Sequence, residues 1–205
     1  MFRTVTPVVR ALLLANFSVY VLQRFTGLDD ILLSEFALWP VGSQRYGGAA
    51  FEPWQLITYA FLHDPSNWLH IISNMFALYM FGPDAELVLG ARRFSFYYFA
   101  CVIGAGLTQM LVQGVDSQPY PTLGASGGIF GVLLFYGMAF PHRRLLLLFP
   151  PIPMPAWLFV TLYGVFELFL GVTGTAAGVA HYAHLGGMAT GFLLIRYWRG
   201  RRQIR

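Results

Sequence analysis

Six stretches of this chain, approximately residues 7–26, 66–82, 94–113, 126–140, 154–173 and 179–198, are apolar almost throughout. A helix crossing the ~30 Å hydrocarbon layer of a bilayer needs about 20 mostly apolar residues. In lipid every backbone N–H and C=O must be satisfied inside the protein, and a helix does this within one segment. Composition agrees. Of 205 residues, 57% are hydrophobic and 11% charged, against about 25% charged in soluble domains. The predicted fold class is an all-α membrane protein with six transmembrane helices, residues 1–205 forming one domain.

The charges set its orientation. All 13 basic residues are arginine and the net charge is +4. These arginines cluster at the ends of the apolar runs, as topology signals do, rather than along one face, so no nucleic-acid partner is expected. Six spans put both termini on one side. Arg3, Arg10, Arg92, Arg93, Arg143, Arg144, Arg196, Arg199, Arg201, Arg202 and Arg205 fall there; only Arg24 and Arg45 fall opposite, among Asp29, Asp30, Glu35, Glu52, Asp64 and Asp116. The positive-inside rule then places both termini in the cytoplasm. Arginine-only usage and the compact form suit a bacterial inner membrane. No small-residue cleavage site follows the first run, which is read as a span and not a signal peptide. Residues 27–65 are too polar and too rich in Gly, Pro and Trp to cross. They form a long external loop between the first and second spans, with Trp39, Trp54 and Trp68 suited to the interface. The proline-rich stretch 149–155 is the cytoplasmic connection into the fifth span. Cys101 is the one cysteine, so no intrachain disulfide forms.

Strongly polar groups inside spans are costly, and each is a functional candidate. They are His70, Asn74, Ser126, Glu167, His181 and His184. Ser126 opens the fourth span. Fifteen residues separate it from Pro141, about 22 Å of helix, so a helix starting there starts below the outer surface. Its first N–H groups would have no helical partner and could face an oxyanion; equally, the serine could only cap or pack the helix. His184 lies twelve residues before Arg196, about 18 Å, within a turn of the serine in depth. Gly127 and Gly131 form one Gly-xxx-Gly pair and Gly187 and Gly191 another, and such faces let helices approach closely. His184 shares the face of its two glycines. There it could take the Ser126 proton and return it to a leaving amine, or be a structural histidine bonded to a carbonyl. His70 and Asn74, at i and i+4, share a face at the same depth. They suit an oxyanion, or an ordinary interhelical hydrogen bond. No ligand spacing or His-Glu-x-x-His accompanies His63, His70, His181 and His184, so neither a metal nor another cofactor is expected.

Taken together, these residues resemble the rhomboid family over roughly residues 50–198. The resemblance runs through Glu52-Pro53-Trp54-Gln55-Leu56-Ile57-Thr58, Phe61-Leu62-His63, His70-xxx-Asn74, Phe81-Gly82 with Glu86 and Gly90, Gly124-Ala125-Ser126-Gly127 and Ala183-His184-Leu185-Gly186-Gly187. It implies a rhomboid-like bundle of the minimal six-span form. It also implies an intramembrane serine endopeptidase with Ser126 as nucleophile and His184 as general base. The oxyanion site would come from His70, Asn74 and the Ser126 backbone N–H, within the tetrad of Gly124 and Gly127. Phe130 is similar to the family's aromatic that packs on the catalytic imidazole. No third acid is expected. The implied partners are single-span membrane proteins, cut near small residues. Hydrolysis at this depth needs a water-filled pocket, and residues 171–178, rich in small turn-formers, suit a lid over it. Glu167 is left as a helix-bonding, protonated or gating residue. The rivals are a rhomboid-like protein that binds clients without cutting them, and a small channel or transporter whose polar groups would run through both leaflets.

Overall fold

The computed structural model describes residues 4–113, 119–146, 152–174 and 180–201. Six long or apolar helices dominate. Helix α1 covers Pro7–Phe25; the loop after it carries α2 (Asp29–Phe36), a 3-10 turn at Ser43–Tyr46, α3 (Gln55–Thr58) and a second 3-10 turn at Tyr59–Phe61. There follow α4 (Trp68–Leu89), α5 (Ala91–Gln113), α6 (Ser126–Ala139), the short antiparallel pair β1 (Arg144–Leu146) and β2 (Pro153–Pro155), α7 (Ala156–Thr173) and α8 (His181–Gly200). Three helices, α1, α5 and α7, are long and apolar enough to cross a membrane, and α6 is a shorter apolar helix. The other two, α4 and α8, have 22 and 20 residues. Their hydropathy is lowered by His70, Asn74, Asp84 and Glu86 on one and by His181, His184, Arg196 and Arg199 on the other.

Helix α6 is the centre of the bundle. Every residue from Gly127 to Leu133 is buried, and α4, α5, α7 and α8 all pack on it. Fourteen residues give it a length of about 21 Å, short of the hydrocarbon thickness. On the outside, large apolar side chains such as Phe17, Leu111, Phe166 and Phe169 stand exposed. Water would oppose such a surface and lipid would not. This is an integral membrane protein.

The arginine-rich helix ends meet at one end of the bundle. There the Glu86 carboxylate of α4 accepts from Thr6 Oγ1 and from the backbone N–H of Val8 (3.0 Å) and Val9 (2.9 Å), capping α1. Arg143, just after α6, pairs with Asp84, and Arg199 of α8 donates to the Met138 carbonyl at 3.3 Å. Sequence placed the end of the second span at 82; the helix runs on through Pro83 to Leu89. Its last turns are held by burial of Ala85, Glu86 and Leu89 and by the Glu86 bonds to α1, which outweigh the proline.

At the other end, the long loop is a clamp on the entry to α6. Leu38 and Thr122 exchange N–H···O bonds of 3.0 and 2.9 Å, and Gly124 N–H donates to the Tyr59 carbonyl at 2.9 Å. Buried Gln55 ties the loop to itself through Trp39 N–H and the Ala50 carbonyl. The clamp fixes where Ser126 begins its helix. Of the expected connection at 149–155, residues 147–151 lie outside the described part, while β1 and β2 pair on either side of it. Of the expected lid at 171–178, only Gly171–Gly174 are described, closing α7 with Gly174 in the left-handed region.

Candidate active site

Small residues bring the site together. A side chain on Gly187 would collide with the Gly127 carbonyl oxygen, and one on Gly131 with the sulfur of Cys101. Likewise Gly104 faces Thr190, Gly186 faces Thr108 and Gly191 faces the Tyr97 hydroxyl, each too close for a Cβ. Helix α8 therefore lies backbone to backbone against α6 and almost as closely against α5, as the two Gly-xxx-Gly pairs implied. His184 sits one turn before Gly187 on that face.

The result is a direct contact. His184 Nε2 lies 2.8 Å from Ser126 Oγ, and the imidazole is 8% exposed. Ser126 is the first residue of α6, so its N–H is among those the helix leaves unpaired. Phe130, one turn on, stacks on the imidazole with ring centroids 4.1 Å apart and planes at 6°. Tyr163 of α7 stacks on the far face of Phe130, at 5.3 Å and 8°.

His70 closes the site from α4. The backbone N–H of Asp64 donates to His70 Nδ1 at 3.3 Å. In the neutral ring that leaves the proton on Nε2. A Cβ on Gly124 would stand 2.8 Å from this Nε2, and Gly124 has φ +120°. Glycine is thus needed twice over, for its backbone angle and for the approach of His70 to the loop before Ser126. The resulting N–H donor faces the serine's own loop. Asn74 is buried on the same helix face and spends one N–H on the His70 carbonyl at 2.8 Å. That bond uses one of the two N–H groups of the amide. His63 is fully buried with its ring 5.0 Å from that of His70. Burial, and next the neighbouring His70, push its imidazole down to about 3, so it stays neutral.

One candidate was left without a partner. The sequence reading expected no third acid, yet Glu167 of α7 is 5% exposed and its Oε2 lies 2.8 Å from His184 Nδ1 and 2.7 Å from His181 Nδ1. A signal was present: Glu167 is the one charged residue in an 18-residue apolar helix, and His181 stands three before His184, on the same face. Among the described residues these three also form the one cluster of metal-ligand type. Both nitrogen–oxygen separations are those of N–H···O bonds, shorter than the roughly 3.3 Å between two ligands of a tetrahedral zinc with bonds of 2.0–2.1 Å.

A family model for the rhomboid domain matches residues 50–201. The chain is 33% identical over 147 residues to Rhomboid protein 1, mitochondrial, of Saccharomyces cerevisiae, covering 67% of this chain and 40% of that protein. It is 32% identical over 143 residues to the Rhomboid protease GluP of Bacillus subtilis, covering 69% and 25%. To the Presenilin-associated rhomboid-like protein, mitochondrial, of Mus musculus it is 25% identical over 211 aligned positions, covering 98% and 52%. The chain thus spans about half or less of the length of these relatives. With the family model covering most of the chain, and with serine, histidine and glycines meeting inside an apolar bundle, the chain belongs to the rhomboid family.

Proposed function

We propose that the protein is an intramembrane serine endopeptidase that hydrolyses peptide bonds in or near the membrane segments of other proteins, with Ser126 as nucleophile and His184 as base. The observation that carries this reading is the 2.8 Å contact between Ser126 Oγ and His184 Nε2. At that distance the imidazole takes the hydroxyl proton as Oγ attacks the scissile carbonyl, then delivers it to the leaving amine. The acyl-enzyme is cleared by water activated through the same nitrogen. The developing oxyanion is met by the Ser126 N–H, His70 Nε2–H and the free N–H of Asn74. Phe130 keeps the ring upright between α6 and α7.

In this reading residues 1–205 act as one membrane domain of six spans, α1, α4, α5, α6, α7 and α8, without a metal or cofactor. The eleven-to-two arginine bias supports cytoplasmic termini, and arginine-only usage with the compact form supports a bacterial inner membrane. Single-span membrane proteins are the substrates. A helical amide is shielded by its own hydrogen bonds, so helix-breaking residues near the cut would assist exposure.

Purified protein in lipid, given a generic membrane-anchored substrate, should release a product that Ser126→Ala does not. The variant's loss should reach about 10³-fold or more, as for a removed nucleophile. A serine-reactive phosphonate should label the wild type and not the variant. Equal release by both would overturn the hydrolase reading, and release by neither would leave the client-binding reading in its place.

A further inference from the structure

We infer that Glu167 is a positioning residue for His184, fixing the imidazole in the tautomer with its proton on Nδ1, and that His181 in turn holds the Glu167 carboxylate. This deepens the protease reading above and rests on it for its kinetic consequence.

The geometry is specific. One oxygen, Glu167 Oε2, lies within hydrogen-bond distance of two ring nitrogens at once, 2.8 Å from His184 Nδ1 and 2.7 Å from His181 Nδ1. An ionised carboxylate only accepts. Facing one, both nitrogens must carry protons. A neutral imidazole carries just one, so Nε2 of His184 is left as a lone pair. That lone pair points at Ser126 Oγ, 2.8 Å away. The opposite tautomer would put an N–H against the hydroxyl and could not accept its proton. In the acyl-transfer step the proton moves from Oγ to Nε2, and the imidazolium formed lies against the carboxylate that already binds its other side.

The other neighbours leave this role to Glu167. Phe130 restrains the tilt of the ring by stacking at 4.1 Å but offers no acceptor to Nδ1. His181 stands with its ring at 89° to that of His184, so two perpendicular donors converge on one oxygen. Among the described residues the buried His181 Nε2 has no hydrogen-bond partner, and the ring's Nδ1 contact to Glu167 anchors it. Removing His181 would free the carboxylate to rotate away from the base.

The test separates this inference from the protease reading. In the wild type with 15N-labelled histidine, reconstituted in lipid, the nitrogen shifts of His184 (assigned with His184→Gln) should show a protonated Nδ1 and a bare Nε2. A protonated Nε2 overturns the inference whether or not the protein cuts anything. In turnover, Glu167→Gln should lower kcat by about 10²-fold or more with KM within about twofold, since orientation and charge act after binding. Glu167→Asp, which keeps the charge, should recover part of the loss. His181→Gln should lower kcat by about tenfold and mix the His184 tautomers. Retention of kcat within about twofold in Glu167→Gln, beside an inert Ser126→Ala, overturns the inference and spares the dyad. An inert wild type with Nδ1 protonated does the reverse, and the wild-type spectrum decides the tautomer even if the Glu167 variants do not fold.

Discussion

Helix α8 meets α6 and α7 in two very different ways, and the site is divided between them. Against α6 it packs through glycine, Gly187 against the Gly127 backbone with no side chain between. Against α7 it packs through side chains: Met188 near Gly164, Tyr182 bonding the Gly171 carbonyl at 2.9 Å, and the histidine pair on Glu167. Away from α6 and α8, much of α7 faces outward. Around buried Glu167 the neighbours Val165, Phe166, Leu168 and Phe169 are all at least half exposed. Ser126 and His184 are thus set by contacts between backbones, which cannot adapt. The acid is brought by a helix whose contacts are mostly flexible side chains, which can. Cores transmit strain where they are close-packed and absorb it where they are not, so equal insults at the two contacts should have unequal results.

The largest effect is expected at the rigid contact. In Gly187→Ala the new methyl meets the Gly127 carbonyl, a main-chain atom with no rotamer to yield. The helices must separate. Overpacking of this kind costs about 1–3 kcal/mol, and a shift of about 1 Å between reacting groups costs on the order of 10²-fold in rate. Thermal unfolding in micelles and turnover in lipid should both fall. Full activity in Gly187→Ala would mean that the α6–α8 contact does not set the distance from Ser126 to His184.

How much of this was legible follows the same division. Apolar runs and arginine clusters marked out the six helices, because both are properties of composition along the chain. The α6–α8 contact was legible too, since Gly127, Gly131, Gly187 and Gly191 announce a close approach at helical spacing and the depth estimates for Ser126 and His184 agreed. What side chains decide was harder. The end of α4 was misplaced at residue 82, before Pro83, because the bonds to Glu86 come from the start of α1, 77 to 80 residues away in sequence. Glu167 was left without a partner for a similar reason: nothing in the α7 sequence says which of its faces meets α8. Spacing put His70 and Asn74 on one helix face, but the Asp64 N–H that settles the His70 tautomer comes from a loop whose path no periodicity reveals.

A smaller and different effect separates the two buried glutamates. Glu86 accepts from backbone N–H groups at the start of α1, where an acid satisfies unpaired donors and favours the helix dipole. Glu167 accepts from imidazoles. Glu86→Ala should therefore cost about 1–2 kcal/mol of stability, the scale of a lost cap, seen as a lower unfolding midpoint. Turnover at a temperature where the variant stays folded should remain within about twofold of wild type, and the His184 nitrogen shifts should not move. A change in those shifts would show that the α1–α4 end of the bundle is coupled to the base, against the separation drawn here.

The smallest effect is expected at the yielding contact, and it is the strictest check on the comparison. A Cβ on Gly164 of α7 would lie 3.3 Å from Met188 Cε and 3.6 Å from its sulfur. Those are the far atoms of an unbranched side chain with three rotatable bonds. Gly164→Ala adds the same methyl as Gly187→Ala, on a helix touching the same α8, one turn from Glu167. Met188 can swing aside, and replacing glycine by alanine within a helix itself favours the fold by about 1 kcal/mol. The unfolding midpoint should hold or rise, and kcat should stay within about twofold. If instead Gly164→Ala cost as much activity as Gly187→Ala, α7 would be held as tightly as α6, and the acid and the dyad would have to be treated as one rigid unit.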